Sequence, residues 1–354
     1  MAQLNPTQTT QAVTLGQLVN VAYAMYDSDK GKPFPSPPSP FMKGFEFVAW
    51  VQMKDFIISS TDFTFYGLIA RDTSKTNSYV LAVRGTQDLE EWWDDLTSTW
   101  LVPMTNFGQV GYGFNRIYQT MRVVYPLTPL GPGAAVAPTV AAVPESLESA
   151  GTFAAQVAAA VRRHAADQGL APATPALMSV TVAGHSLGSA LATLYVADNA
   201  IIKQVQVPLI CTFASPRVGD PTFAATFDAL PGLESWRVVN ELDVVPYLPY
   251  FGFQHVATEY AYNSGSETVW SLACWHSLDT YLHLLDPTQP LLSSCAWPPQ
   301  PPTLAVAAPL RAPATTPLRA SMSLAPAGVA PPAEKEIALT VPAGTTINIT
   351  IKIG

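Results

Sequence analysis

The spacing of apolar positions divides the chain into alternating helices and strands. Leu15, Leu18, Val19, Ala22 and Met25 recur at three- and four-residue intervals, which predicts a helix over 14–27. Residues 31–40 hold too many prolines for a helix or a central strand. Apolar runs at 45–51, 56–59, 63–70 and 79–83 predict strands, the last two paired around the polar turn 72–77. Short helices are expected at 88–96 and 115–124. Residues 126–144, rich in Pro, Ala and Gly, read as a flexible excursion. An Ala-rich helix is expected over 145–168, stopped by Gly169. A β-branched run then ends abruptly in Gly184-His185-Ser186-Leu187-Gly188, and a small-residue helix runs on to about 203. Strands at 208–213, 235–239 and 256–262 alternate with helices at 221–229 and 275–285. Such alternation predicts an α/β fold, a mostly parallel sheet with helices on both faces.

After Trp297 the periodicity stops. Residues 298–334 read as a Pro/Ala-rich linker. Ile337, Leu339 and Val341, then Ile347, Ile349, Ile351 and Ile353, alternate with other residues around Pro342-Ala343-Gly344-Thr345, which predicts a C-terminal β-hairpin over 335–354. The expected organisation is an α/β domain at 1–297, a linker and this hairpin. Two strands alone are barely stable in water, so the hairpin is expected to pack on the main domain, on another copy or on another protein as an association module.

Composition narrows the partners. The 354 residues carry a net charge of −8, which argues against nucleic acid. Only 12% are charged and 48% are hydrophobic, so a large core or a sizeable exposed apolar surface is expected. No apolar stretch reaches the length of a transmembrane helix. Residues 1–11 are polar and lack the basic-then-apolar layout of a signal peptide. That leaves an intracellular protein, export by another route, or a mature form with a new start methionine. The three cysteines have no metal-site spacing. Cys211 reads as a core residue, and Cys274 and Cys295 would pair in an oxidising compartment. No metal or organic cofactor is expected.

The strand–Gly-His-Ser-Leu-Gly–helix run is the layout of a nucleophile elbow, with Ser186 at the tip of a strained turn and small residues where strand and helix backbones pass. A serine needs a base, and the base needs an orienting group. Of the histidines after the elbow, His276 lies at the opening of the last predicted helix. His283 falls on that helix's face, and His255 begins a strand after an aromatic loop. Asp243 follows the strand 235–239 and is the preferred acid, with Glu241 as the fallback. Asp220 is explained by capping a helix. The backbone N–H of Leu187 is one candidate oxyanion donor, and Thr86, after the strand 79–83 and Gly85, is the other. Trp92 and Trp93, adjacent tryptophans among acids, cannot both face a core.

These motifs, in this order, resemble the class 3 (fungal-type) lipases of the α/β-hydrolase superfamily. The resemblance runs through Val83-Arg84-Gly85-Thr86, residues 91–96, 111–114 and 184–188, Ser215-Pro216-Arg217-Val218-Gly219-Asp220, residues 237–246 and His276. It implies an α/β-hydrolase fold and a triad of Ser186, Asp243 and His276. It also implies an oxyanion hole at Thr86 and Leu187, and a substrate-binding lid containing Trp92 and Trp93. The implied activity is hydrolysis of lipid or other carboxylic esters at a lipid–water interface: a triacylglycerol lipase first, a carboxylesterase, phospholipase or feruloyl-type esterase as alternatives. Tyr112 stands where the family has a histidine, and the segments 30–44, 126–144 and beyond 297 have no placed counterpart.

Overall fold

The computed structural model describes residues 2–54, 62–86, 100–126, 144–170, 178–297, 334–340 and 346–352, the last two by backbone alone. The strand expected at 56–59, the helix at 88–96 with Trp92 and Trp93, and nearly all of the 126–144 excursion and the linker lie outside these residues. The chain divides into two units, Met1–Pro299 and Gln300–Gly354.

The first unit is built on a nine-stranded sheet. Its strands are β1 (Phe45–Lys54), β2 (Phe63–Asp72), β3 (Ser78–Val83), β6 (Arg122–Tyr125), β7 (Glu145–Ser146), β8 (Ser179–His185), β9 (Leu209–Phe213), β10 (Glu234–Asn240) and β11 (Thr258–Tyr262). A small separate ribbon pairs β4 (Leu101–Met104) with β5 (Gly108–Gly111). The sheet order is β11-β10-β9-β8-β3-β2-β1-β6-β7. Strands β3 and β8 to β11 are mutually parallel, and the other half of the sheet is antiparallel. Candidate site residues all follow strands of the parallel half, where strand ends and loops open on one edge.

Alternation along the strands builds two cores, one on each face. Tyr79, Leu81 and Val83 of β3 join one cluster with Val180 and Val182 of β8. That face is covered by α2 (Tyr112–Tyr118), α3 (Phe153–Asp167) and α4 (Leu187–Ile202). Val80 and Ala82, with Cys211 and Phe213 of β9, face the opposite way. There α1 (Pro6–Ser28) packs with α7 (Leu278–Leu285). In chain order, α5 (Pro221–Asp228) and α6 (Leu272–His276) fall between α4 and α7. No helix among the described residues is long and apolar enough to cross a membrane.

Several boundaries differ from the sequence expectations, each for a local reason. Helix α1 starts eight residues early because Asn5 and Gln8 form a reciprocal capping box with Pro6 in the first turn. The helix expected over 115–124 ends at Tyr118, and Arg122–Tyr125 pairs instead with β1 through Val123 and Val124. The helix expected over 145–168 begins only at Phe153. Gly151, at φ 109°, turns the chain, and the Thr152 side chain caps the Ala155 N–H. The last expected helix is two, broken where Ser277 is extended, so His276 closes α6 rather than opening a helix.

In the second unit, β12 (Glu334–Thr340) and β13 (Thr346–Lys352) pair antiparallel, with Ile337 opposite Ile349.

Candidate active site

Strand β8 delivers Ser186 to the sheet edge in a conformation that only a built turn sustains: φ 56°, ψ −125°. The turn is closed by the Ser186 N–H donating to the Phe213 carbonyl at 2.9 Å. The Ser189 hydroxyl lies 2.8 Å from the Gly184 carbonyl oxygen and 2.9 Å from that of Phe213. The two flanking glycines serve close packing. A Cβ on Gly184 would collide with the Gly188 carbonyl, and one on Gly188 with the carbonyls of Val83 and Arg84. Leu187, the first residue of α4, has its N–H ahead of the first intrahelical bond, at the positive end of the helix dipole.

His276 comes from α6 and Asp243 from the loop after β10, and the structure brings both to Ser186. The Ser186 hydroxyl lies 2.8 Å from His276 Nε2, and His276 Nδ1 lies 2.7 Å from Asp243 Oδ2. All three are buried. The carboxylate has two further donors: the Val245 N–H donates to Oδ1 at 3.0 Å, and the Tyr281 hydroxyl donates to Oδ2 at 2.7 Å. With only acceptors on Asp243, Nδ1 of His276 carries the proton and Nε2 is free to accept from the serine. Fully buried Asn240 holds the histidine's frame by donating to the Trp275 carbonyl at 2.9 Å and to Ser264 Oγ at 2.9 Å.

The alternatives are engaged elsewhere. Glu241 accepts from Asn263, and Asp220 caps α5 through the Phe223 N–H. His283 faces the Gln289 carbonyl and Glu267, and His255 bonds the Pro246 carbonyl.

Thr86 lies one residue beyond Gly85, which the parallel β3–β8 register carries alongside the elbow. Val83 is opposite Gly184, and a Cβ on Gly85 would stand 2.9 Å from Ser186 Cβ. Arg84 sets this loop. Its guanidinium lies 3.7 Å from the Tyr26 ring centroid and 4.1 Å from that of Tyr66. It donates to the Phe65 carbonyl at 3.1 and 2.8 Å through Nε and Nη2, and to the Gly85 carbonyl at 2.7 Å through Nη1. That last carbonyl shares its rigid peptide plane with the Thr86 N–H, so Arg84 fixes the plane of the candidate oxyanion donor.

Sequence reasoning did not single out Arg84, Asn240 or Tyr281. The first two sat inside quoted motifs, and a buried arginine closing an apolar strand was a usable signal. Tyr281 carried none. Among the described residues no group of three or more His, Cys, Asp or Glu is arranged to hold a metal ion. Cys274 and Cys295 are joined in a disulfide with Cα atoms 5.2 Å apart.

A strained serine between a parallel strand and its helix, on a sheet of this order, defines an α/β-hydrolase fold. Residues 80–253 match the family model for lipase (class 3). The matched span contains Thr86, Ser186, Leu187 and Asp243, and His276 lies beyond it. Among characterised proteins, 118 residues are 42% identical to phospholipase A1-II 4 of Oryza sativa subsp. japonica, covering 30% of this chain and 28% of that one. Phospholipase A1-IIgamma of Arabidopsis thaliana is 35% identical over 125 residues, covering 32% and 30%. The chain thus spans about 30% of the length of the curated relatives it matches. Among solved structures, the native Rhizomucor miehei lipase propeptide complex is similar over 74% of this chain and 70% of that one, at 21% identity and a TM-score of 0.48.

Proposed function

We propose that this chain hydrolyses carboxylic esters of lipids, acylglycerols first, through an acyl-enzyme on Ser186. The observation that carries the reading is the unbroken chain from Ser186 through His276 to Asp243, with contacts of 2.8 and 2.7 Å. In this reading Ser186 Oγ attacks the ester carbonyl carbon while His276 Nε2 takes its proton. Asp243 stabilises the resulting imidazolium without taking the proton itself. The oxyanion is met by the N–H groups of Leu187 and Thr86. His276 then gives the proton to the departing alkoxide, and water repeats the sequence on the acyl-serine to release the fatty acid. Replacing Ser186 with alanine should abolish hydrolysis of p-nitrophenyl esters while the unfolding transition persists. Retained turnover would refute the assignment.

A second reading, phospholipase A1 activity, is favoured by the names of the relatives above. Phosphatidylcholine vesicles and triacylglycerol emulsions, assayed side by side for released fatty acid, separate the two. Contact with a lipid surface is supported by exposed aromatic residues beyond β3. Trp100 is 73% exposed and stands edge-on to Tyr112, and Tyr250 and Phe251, 67% and 58% exposed, stand edge-on to each other. Activity should therefore rise when substrate passes its solubility limit, with Trp92 and Trp93 as the proposed lid residues. A flat response would favour a plain esterase.

A further inference from the structure

Helix α1 plays no part in the proposed reaction, yet one of its side chains reaches the centre of the site. Tyr23 Oη lies 2.8 Å from His185 Nδ1, and it accepts the Gly85 N–H at 2.8 Å. On its other side His185 Nε2 lies 2.8 Å from the carbonyl oxygen of His276. These contacts have one consistent set of proton positions. A carbonyl only accepts, so His185 Nε2 carries a hydrogen and Nδ1 is an acceptor. The Tyr23 hydroxyl must then donate to Nδ1, which leaves its oxygen to receive the Gly85 N–H. Three hydrogen bonds therefore run in one direction, from the oxyanion loop through Tyr23 and His185 to the backbone of His276.

The surroundings favour this arrangement. His185 is buried, and burial, followed by the nearby His276, holds its imidazole well below the ordinary histidine range, so it stays neutral. Its ring centroid is 4.9 Å from that of His276, where a second cation would oppose the imidazolium formed during the reaction. Gly85 leaves the space that the hydroxyl occupies: a Cβ there would stand 2.8 Å from Tyr23 Oη. Gly85 is thus gripped at its N–H by Tyr23 and at its carbonyl by Arg84.

We infer that Tyr23 and His185 are positioning residues that register the Gly85–Thr86 loop against His276, so that the oxyanion donor and the base keep their spacing around Ser186. The inference rests on the ester-hydrolase reading above. The test is a double-mutant cycle on the full chain with p-nitrophenyl butyrate: Tyr23→Phe, His185→Gln and the pair, with unfolding midpoints measured beside kcat and KM. Misplacement of reacting groups by a fraction of an ångström should lower kcat roughly tenfold in each variant. KM should stay within about twofold, and the pair should be no worse than the more damaging single change, because one chain is cut in both. Tyr23→Phe keeps the ring and removes only the hydroxyl, so it decides alone if His185→Gln fails to fold. A Tyr23→Phe kcat within twofold of the parent, a loss confined to KM, or losses that multiply in the pair would overturn the inference. Ser186→Ala is assayed in parallel. An inactive parent or an active Ser186→Ala overturns the hydrolase reading and this inference with it. An active parent, a dead Ser186→Ala and an unaffected Tyr23→Phe overturn this inference alone.

Discussion

The disulfide offers the sharpest quantitative test, because it closes a loop around His276. Cys274 lies two residues before His276 on α6. Cys295 lies on a segment that pairs with residues 268–269, where its carbonyl accepts the Val269 N–H at 2.9 Å. The separation of 21 residues encloses all of α7. Chain-entropy reasoning for a loop of that size gives about 3 kcal/mol of stabilisation, mainly by restricting the unfolded chain. At roughly 2–4 °C per kcal/mol for a domain of this order, Cys274→Ala/Cys295→Ala should unfold roughly 6–12 °C below the parent. Activity should fall severalfold even well below that transition. The five-residue α6 would then be tied mainly by Asn240 at the Trp275 carbonyl, by His185 at the His276 carbonyl and by Thr280 Oγ1 at the Cys274 carbonyl. Calorimetry and ester hydrolysis at 25 °C measure the two effects. Cys211 is a clean control, since burial pushes its thiol up and keeps it inert in the folded protein. Unreduced, unfolded protein should titrate one thiol. Three titratable thiols, or an unchanged unfolding temperature in the double variant, would refute the reasoning.

Two further outcomes follow from packing and burial. Gly188→Ala forces a methyl group onto the backbone carbonyls of Val83 and Arg84, which cannot rotate away, so urea unfolding should show a loss of about 3 kcal/mol or more; a stability equal to the parent would mean that α4 can retreat from β3 freely. His255 is held neutral by burial and by Arg237 and Arg217, its pKa pushed down to about 3. The unfolded chain therefore binds a proton that the folded one refuses as pH falls from about 6.5, and the penalty is complete near pH 3. At pH 5 that amounts to about 1–2 kcal/mol, allowing for partial solvent contact. His255→Gln should shrink the loss of unfolding free energy between pH 7 and 5 by that amount, and an identical pH slope in parent and variant would count against it.

The limits of reading this chain from its sequence follow the range of the interactions. Strands β2 and β3 and helix α4 were legible because their signals are local: alternating apolar residues around a polar turn, and glycines framing a β-branched run. The first turns of α1 were missed because Asn5-Pro6-Thr7-Gln8 reads as a polar tail until the capping box is noticed. Residues 145–152 carried helical composition, but Gly151 and Thr152 outweigh it. Val123 and Val124 could not be placed by helical spacing, since their partners lie on β1, some 70 residues earlier. Ser186, His276 and Asp243 were singled out by chain order, and the structure brings the three side chains together. Tyr23, Arg84, Asn240 and Tyr281 were not, because each acts through contacts that form only when distant segments meet.

The backbone strain at Ser186 illustrates the same division. A non-glycine residue at φ 56°, ψ −125° costs on the order of 1–3 kcal/mol. Locally, nothing in Gly-His-Ser-Leu-Gly offsets that cost. The offset comes from β9, whose Phe213 carbonyl takes both the Ser186 N–H and a contact from the Ser189 hydroxyl, and from the end of β3, where the carbonyls of Val83 and Arg84 lie against Gly188. Both neighbours are parallel strands that pair with β8, so the register that builds the sheet also imposes the turn. His185 then becomes informative. Its side chain meets Tyr23 of α1 and the His276 carbonyl. Position 185 thus joins the strained turn to the two segments that must agree with it.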